Sequence, residues 1–424
     1  MKIAVVAAGV PNPTSGGGAL TCWSIIRALL DRKHTVGVCV IDDLTASASS
    51  QTQGEMLTQL SDLNVSILRV ASQTPGLRSM SGLAKAAVAL SDPFYFSYPT
   101  ARLAREVEQH LGRLSPDAIF IYHFDALASA CRVSVAPKMV GVGDPSHLPD
   151  YHRWRLTRPA IGPTYLLRTV SMLFRRALQP RMMRTMMNFC ESAGAFAAHH
   201  AEWYREAGVG HCNYLRTPVP DNVGSDWIKR RRESSDDGAF KVVLIGHLRG
   251  IATISGLQLF AREVLPILES ELGPGRFQVH IVGGHQPPAY LEHLLDRPSV
   301  IMRGHVEPAD EEFLSAHVVV VPTPIPLGIR VRILSAWSFG SCVVCHTANA
   351  KGIPEIADGE NALLASTGEE MAAQILRALR DAELRSRLQL GGRRTFERSF
   401  TIQEAGGRIV DELERISGKN GPAA

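Results

Sequence analysis

The chain has 424 residues, 45% of them apolar and 20% charged, and a formal net charge of +4. This length exceeds one comfortable core, so two domains are expected, and the composition excludes a disordered or fibrous chain. So small a charge gives no support to a nucleic-acid partner, and without an uncharged apolar run of about 18 residues no membrane-spanning helix is expected.

Lys2 to Ala8 reads as a buried strand, and Met1 to Gly9 is taken as that first strand instead of a leader. A Pro-containing loop follows, then Gly16, Gly17 and Gly18, a helix from Ala19 to Leu30 and a strand from Thr35 to Ile41. This is a strand–helix–strand opening with glycines where the helix begins. Gly17 and Gly18 are candidates for an anion approaching bare backbone, the alternative being a turn without a ligand. The consecutive glycines do not fit a dinucleotide fingerprint.

Thr45 to Leu60 is polar and Ser-rich, a surface loop leading into a helix. Strands are expected at Asn64 to Val70, Ala118 to Tyr122 and Lys138 to Val142, with a helix at Arg102 to Leu114. Two of these strands end in polar clusters, His123-Phe124-Asp125 and Gly143-Asp144-Pro145. Asp144 and His123 are the candidate catalytic residues, against readings as an Asp-Pro turn former and a structural histidine.

Residues 151–190 carry eight arginines and no lysine, aspartate or glutamate. Arginines flanked by leucines and methionines suit a membrane surface or a groove for a lipid-linked, phosphate-bearing acceptor; a helix with distant acidic partners is the plainer reading. His199 and His200 are adjacent on a helix and diverge, so a shared metal is not expected. Residues 221–239, with Lys229 to Arg232 and then acidic residues, read as a mobile linker.

Phe240 to Ile245 restarts the pattern, with further strands at Gln278 to Val282, Val300 to Met302 and Val318 to Val321. Pro322 and Pro324 end the last of these because neither can donate to a ladder. Apolar spacing at Val331, Leu334, Ala336 and Trp337 predicts a helix that Gly340 terminates, and Cys342 to Cys345 begins another strand. Such crossovers make a parallel sheet, whose ligands sit outside the carboxyl ends of the strands. The seven cysteines are an odd count without framework spacing, which suits a reducing compartment. Cys342 and Cys345, three apart on a strand, face opposite sides and are read as core residues.

Gly328, Arg330, Arg332, Leu334, Ala336, Gly340, Val343 and Val344 follow the pattern G-x-R-x-K-x-L-E-A-x-x-x-G-x-P-V-V. This stretch resembles the nucleotide-sugar-binding core of GT-B glycosyltransferases, specifically the retaining group called family 4. The resemblance covers about Lys241 to Arg394 well and the first 220 residues in outline. It implies an α/β fold of two Rossmann-like domains with parallel sheets facing across a cleft. The domains would span residues 1–220 and 240–394, with residues 395–424 returning to the first domain from about Arg394 to Phe400.

It also implies an enzyme that moves a sugar from a nucleotide-sugar donor to an acceptor with retention; no cofactor is expected and, with no D-x-D in the chain, no bound metal, while the cysteines and the arginine-rich stretch suggest a cytoplasmic setting with peripheral membrane contact through residues 151–190. The donor-binding candidates are Gly17, Gly18, Gly246, Arg249, Gly283, Gly328, Arg330, Arg332 and Ser335. Three positions depart from the family. Ser335 and Leu327 stand where the family has glutamates, and its basic residue shortly after Arg249 appears as Thr253 or Ser255. A non-catalytic binding subunit and a nucleotide-sugar epimerase are alternatives on the same architecture.

Overall fold

The computed structural model describes every residue except 14–16, 43–57, 59, 62–64, 72–100, 146, 158–162, 235–237 and 419–424. Gly16 and nearly all of the loop expected from Thr45 to Leu60 lie outside the described residues. The chain divides into two compact units. Residues 1–154, 158–216 and 405–424 form the first, and residues 155–157 and 217–404 the second.

The first unit contains β1 (Lys2–Ala8), β2 (Thr35–Asp42), β3 (Ser66–Ala71), β4 (Ala118–Tyr122), β5 (Lys138–Val142), β6 (Ser192–Ala195) and β7 (Cys212–Tyr214). They form one sheet in the order β3-β2-β1-β4-β5-β6-β7, and every neighbouring pair is parallel. A parallel sheet covered on both faces needs strands that are apolar throughout. Ile3 to Ala7 and Ala118 to Tyr122 meet that demand and are buried without a break. The strand order reverses between β1 and β4, so the connections leaving their carboxyl ends diverge and leave a crevice there.

Helix Gly407–Ile416 returns to this unit and buries Ile409, Val410 and Leu413. Its Asp411 pairs with Arg32 at 2.9 Å and its Glu414 with His34 at 3.0 Å. The return had been expected over Arg394 to Phe400. Those residues instead complete helix Ala382–Ser399 of the second unit, where Phe396 and Phe400 enter the core and the buried Arg393 binds Asp221 and Glu397. The boundary therefore falls at 405, because the apolar face of residues 394–400 is already used.

The second unit contains β8 (Phe240–Ile245), β9 (Phe277–Val282), β10 (Val300–Gly304), β11 (Val318–Val321), β12 (Val343–His346) and β13 (Leu363–Ala365). The order is β10-β9-β8-β11-β12-β13, again all parallel, with the reversal between β8 and β11. Side chains alternate between the two faces. Val242, Leu244, Val318, Val320, Cys342 and Val344 enter one core cluster, and Val243, Val319, Val321, Val343 and Cys345 the other. The cysteine pair thus splits across the sheet, and burial pushes both thiols up to about 12.

Helix Ile251–Leu272 is long and apolar enough to cross a bilayer. Its Phe260, Val264, Leu265 and Leu268 instead pack in the core of this unit. The segment read as a mobile linker contains helix Trp227–Ser234. Trp227 is buried, and Arg231 donates to the carbonyls of Phe313 and Ala316 at 2.9 and 2.7 Å. Its charges looked solvated in the sequence because their acceptors lie more than 80 residues away.

Candidate active site

In the second unit the candidate residues converge at the strand reversal. Prolines at 322, 324 and 326 prevent the chain from entering a helix directly after β11. Gly328, at φ 54°, makes the turn that a side chain would strain, and helix Val331–Ser338 then begins with Arg330 at its N-cap. Ile333, Leu334, Ala336 and Trp337 are buried, which leaves Val331, Arg332 and Ser335 on the partly exposed face.

From that face Arg332 reaches back to the end of β8. Its Nη1 donates to the Ile245 carbonyl at 2.5 Å and its Nη2 to Thr253 Oγ1 at 3.0 Å. A Cβ on Gly246 would lie 2.6 Å from Arg332 Nη1, and a Cβ on Gly283 would lie 1.9 Å from the Gly246 carbonyl oxygen. Neither position admits a side chain. The guanidinium occupies the space that Gly246 leaves open, and the bare backbone of Gly283, on the adjacent strand, lets the Gly246 turn pack against it.

No carboxylate among the described residues pairs with Arg332. Burial, with Arg330 adding repulsion, pushes its pKa down to about 9. A cation withdrawn from water and given only neutral acceptors costs free energy until an anion arrives. No side chain caps helix Val331–Ser338 either, so orphan N–H groups face the same region. His247 and His285, which follow the two glycine turns, meet edge to face at 5.0 Å. Burial, then His285 and Arg249, keeps His247 below the ordinary histidine value. The assembly is cationic.

The first unit carries a second cluster at its own strand reversal. His123, directly after β4, has a left-handed backbone at φ 70°, which is uncommon for a residue with a side chain. A Cβ on Gly18 would be 3.5 Å from its Nε2, and one on Gly143 would be 2.8 Å from its Cε1. The imidazole thus lies between the helix that starts after β1 and the end of β5. Burial lowers its pKa to about 4, so at neutral pH it is an uncharged donor and acceptor. Asp144 approaches Nδ1 of the buried His200 at 3.3 Å.

The structure thus brings together Gly246, Gly283 and Arg332, with Arg330 adjoining, and separately Gly18, His123 and Gly143, with Asp144 next in sequence. Gly17 opens helix Gly17–Asp31, and its carbonyl accepts from Thr21. Arg249 is exposed on the turn after β8. Ser335 shares the Arg332 face, whereas Leu327 is buried in the position of the other family glutamate. Two participants were missed. Thr253, read as the loss of a basic residue, is the acceptor that holds Arg332, and His200, considered only as a metal ligand, is the partner of Asp144. Thr253 could have been found as a hydroxyl in the first turn after the β8 glycine. Nothing local marks His200. Among the described residues no group of three His, Cys, Asp or Glu side chains is arranged to hold a metal.

Residues 239–381 match the family model described as Glycosyl transferases group 1. No curated protein sequence matches the chain. Among solved structures, HepE from Anabaena, in complex with UDP and glucose, superposes with a TM-score of 0.67 at 16% identity, covering 98% of this chain and 99% of that one. Sucrose-phosphate synthase from Thermosynechococcus elongatus gives 0.67 at 13% identity, covering 99% and 100%. A TarM variant from S. aureus, in complex with fondaparinux, α-GlcNAc-glycerol and UDP, gives 0.64 at 8% identity, covering 97% and 99%. The chain has the GT-B fold of these proteins, two parallel-sheet Rossmann-like units, and the glycosyl transferases group 1 match falls within its second unit.

Proposed function

We propose that the chain transfers a sugar from a nucleoside diphosphate sugar to an acceptor hydroxyl. The observation that carries this reading is Arg332, a guanidinium without a carboxylate partner, held against the side-chain-free Gly246 at the strand reversal of the region matching the group 1 model. Similarity to structures holding UDP makes UDP-sugars the first donors to test.

The bond from the anomeric carbon to the β-phosphate oxygen breaks, and the acceptor oxygen bonds to that carbon. Negative charge grows on the leaving phosphate, where Arg332, Arg330 and the uncapped helix end would stabilise it. In the retaining course proposed from the family 4 resemblance, the leaving phosphate takes the proton of the incoming hydroxyl, and no metal takes part. Neutral His123 would orient a hydroxyl of the transferred sugar or acceptor. Seven free, buried thiols support a cytoplasmic setting.

Thermal-shift screening of UDP-, GDP-, ADP- and TDP-sugars, followed by product analysis, tests the reading. A UDP-sugar should raise Tm, and Arg332→Gln should weaken its binding roughly 10- to 100-fold, the worth of a charge-assisted contact. Without ligand the variant should melt no lower than the parent, because an uncompensated charge has been removed. A donor shift that survives Arg332→Gln would sink the placement of the diphosphate. Donor binding without transfer or hydrolysis would instead favour a non-catalytic binding subunit, the reading that Leu327 and Ser335, both without carboxylates, support.

A further inference from the structure

Helices His147–Thr157, Pro163–Met187 and Ala198–Glu206 border a half-open cavity of about 340 Å³ lined by His147, Leu148, Tyr151, Arg176, Pro180 and Trp203, all of the first unit. That volume lies at the low end of small-molecule sites. Two walls are aromatic, and each carries a nitrogenous partner. The Arg176 guanidinium lies 5.7 Å from the Tyr151 ring centre, and the His147 ring lies 5.6 Å from that of Trp203.

His147 is 6% exposed, and its Nδ1 has no hydrogen-bond partner although it is buried. A buried ring nitrogen left unpaired is costly, and its occurrence on a cavity wall points to a ligand that completes it. Arg176 pairs with no carboxylate among the described residues, and the surrounding sequence from 151 to 190 contains none. Burial, then the nearby Arg176 charge, keeps His147 below the ordinary histidine value, so it meets a ligand as a neutral hydrogen-bonding group.

We infer that this cavity is a subsite for a phosphorylated sugar, with the sugar ring against Trp203 and Tyr151, the phosphate on Arg176, and a ring hydroxyl or phosphate oxygen on His147. An apolar occupant would leave the buried His147 nitrogen unpaired and make no use of the Arg176 charge, and a free phosphate would leave both aromatic walls unused. The cavity opens from the segments that follow β5 and β6, the same sheet edge that carries Asp144 and His200. It is therefore placed to hold part of the acceptor, an assignment that rests on the transferase reading.

Calorimetric titration of the full-length protein, with UDP in excess to fill the donor site, tests the assignment with glucose 6-phosphate, glucose and inorganic phosphate. Glucose 6-phosphate should bind at least tenfold more tightly than either of the others. Arg176→Gln, at an exposed side chain, should erase that preference and leave UDP affinity unchanged, and Trp203→Phe should weaken glucose 6-phosphate alone. Absence of glucose 6-phosphate binding, equal binding of inorganic phosphate, or a preference that survives Arg176→Gln would overturn the inference while UDP binding keeps the donor reading intact. Failure of UDP to bind, with the Arg176-dependent preference preserved, would remove the donor reading and leave the cavity as a site for free sugar phosphates.

Discussion

His123 shows how one backbone torsion and one desolvated ring shape a site. Its left-handed φ directs the imidazole between Gly18 and Gly143, and burial there lowers its pKa from 6.5 to about 4. Between those two values the unfolded chain binds a proton that the folded chain does not. Stability from this group is therefore complete above pH 6.5, declines as pH falls towards 4 and is lost below it. His123→Asn should flatten the fall of unfolding free energy between pH 7 and 4.5 by at most about 3 kcal/mol, read from urea melts. Parallel curves for parent and variant would mean that the ring is well solvated. Other charged residues at strand ends do structural work. Glu312 binds Lys241 at 2.9 Å, Arg303 at 2.8 Å and His280 at 3.2 Å, which together hold its carboxyl far below the ordinary range. An arginine at a strand end is thus a donor-site candidate only where no carboxylate claims it.

Among the elements, helix Val331–Ser338 was legible almost to the residue, because its apolar stripe and terminal glycine obey local rules. Gly340, at φ 63°, does more than end it. A Cβ there would lie 2.2 Å from the Trp227 ring, so the glycine also makes room for a helix that the sequence presented as linker. The terminal helix Gly407–Ile416 belongs to the first unit through Ile409, Val410 and Leu413. Leu413→Ala should cost about 2–5 kcal/mol, the range for emptying a fully buried leucine site, whereas Leu390→Ala, at a 40% exposed position, should cost little. Equal melting of the two variants would show that the returning helix contributes nothing to its unit.

For the molecule as a whole, a net charge of +4 conceals a block of eight arginines without an acidic residue between 151 and 190. Leu173, at 55%, and Phe189, at 46%, are exposed large apolar side chains within it. Arginines beside exposed apolar groups are what an anionic lipid surface attracts, and each contributes about 1 kcal/mol near such a surface. The protein should therefore co-float with vesicles containing phosphatidylglycerol at low salt and dissociate as salt is raised to ~0.5 M, where screening shortens the reach of charge. No co-flotation at low salt would overturn the peripheral membrane contact expected from this stretch.

The amino-acid sequence alone determined most of the strands, the two-domain parallel architecture and the region of the candidate donor motif. A buried parallel strand must be apolar along its whole length, and its connections must supply turns, glycines and amphipathic helices in order. It did not determine which arginine turns inward. Arg332 does so because the Ile245 carbonyl and Thr253, 79 positions earlier in the chain, accept from it and the bare backbone of Gly246 leaves space for it. The pairing of Asp144 with His200 and the docking of Trp227 were likewise decided only in three dimensions. Such contacts join residues whose separation along the chain carries no local signal, and only the sheet order brings them within reach.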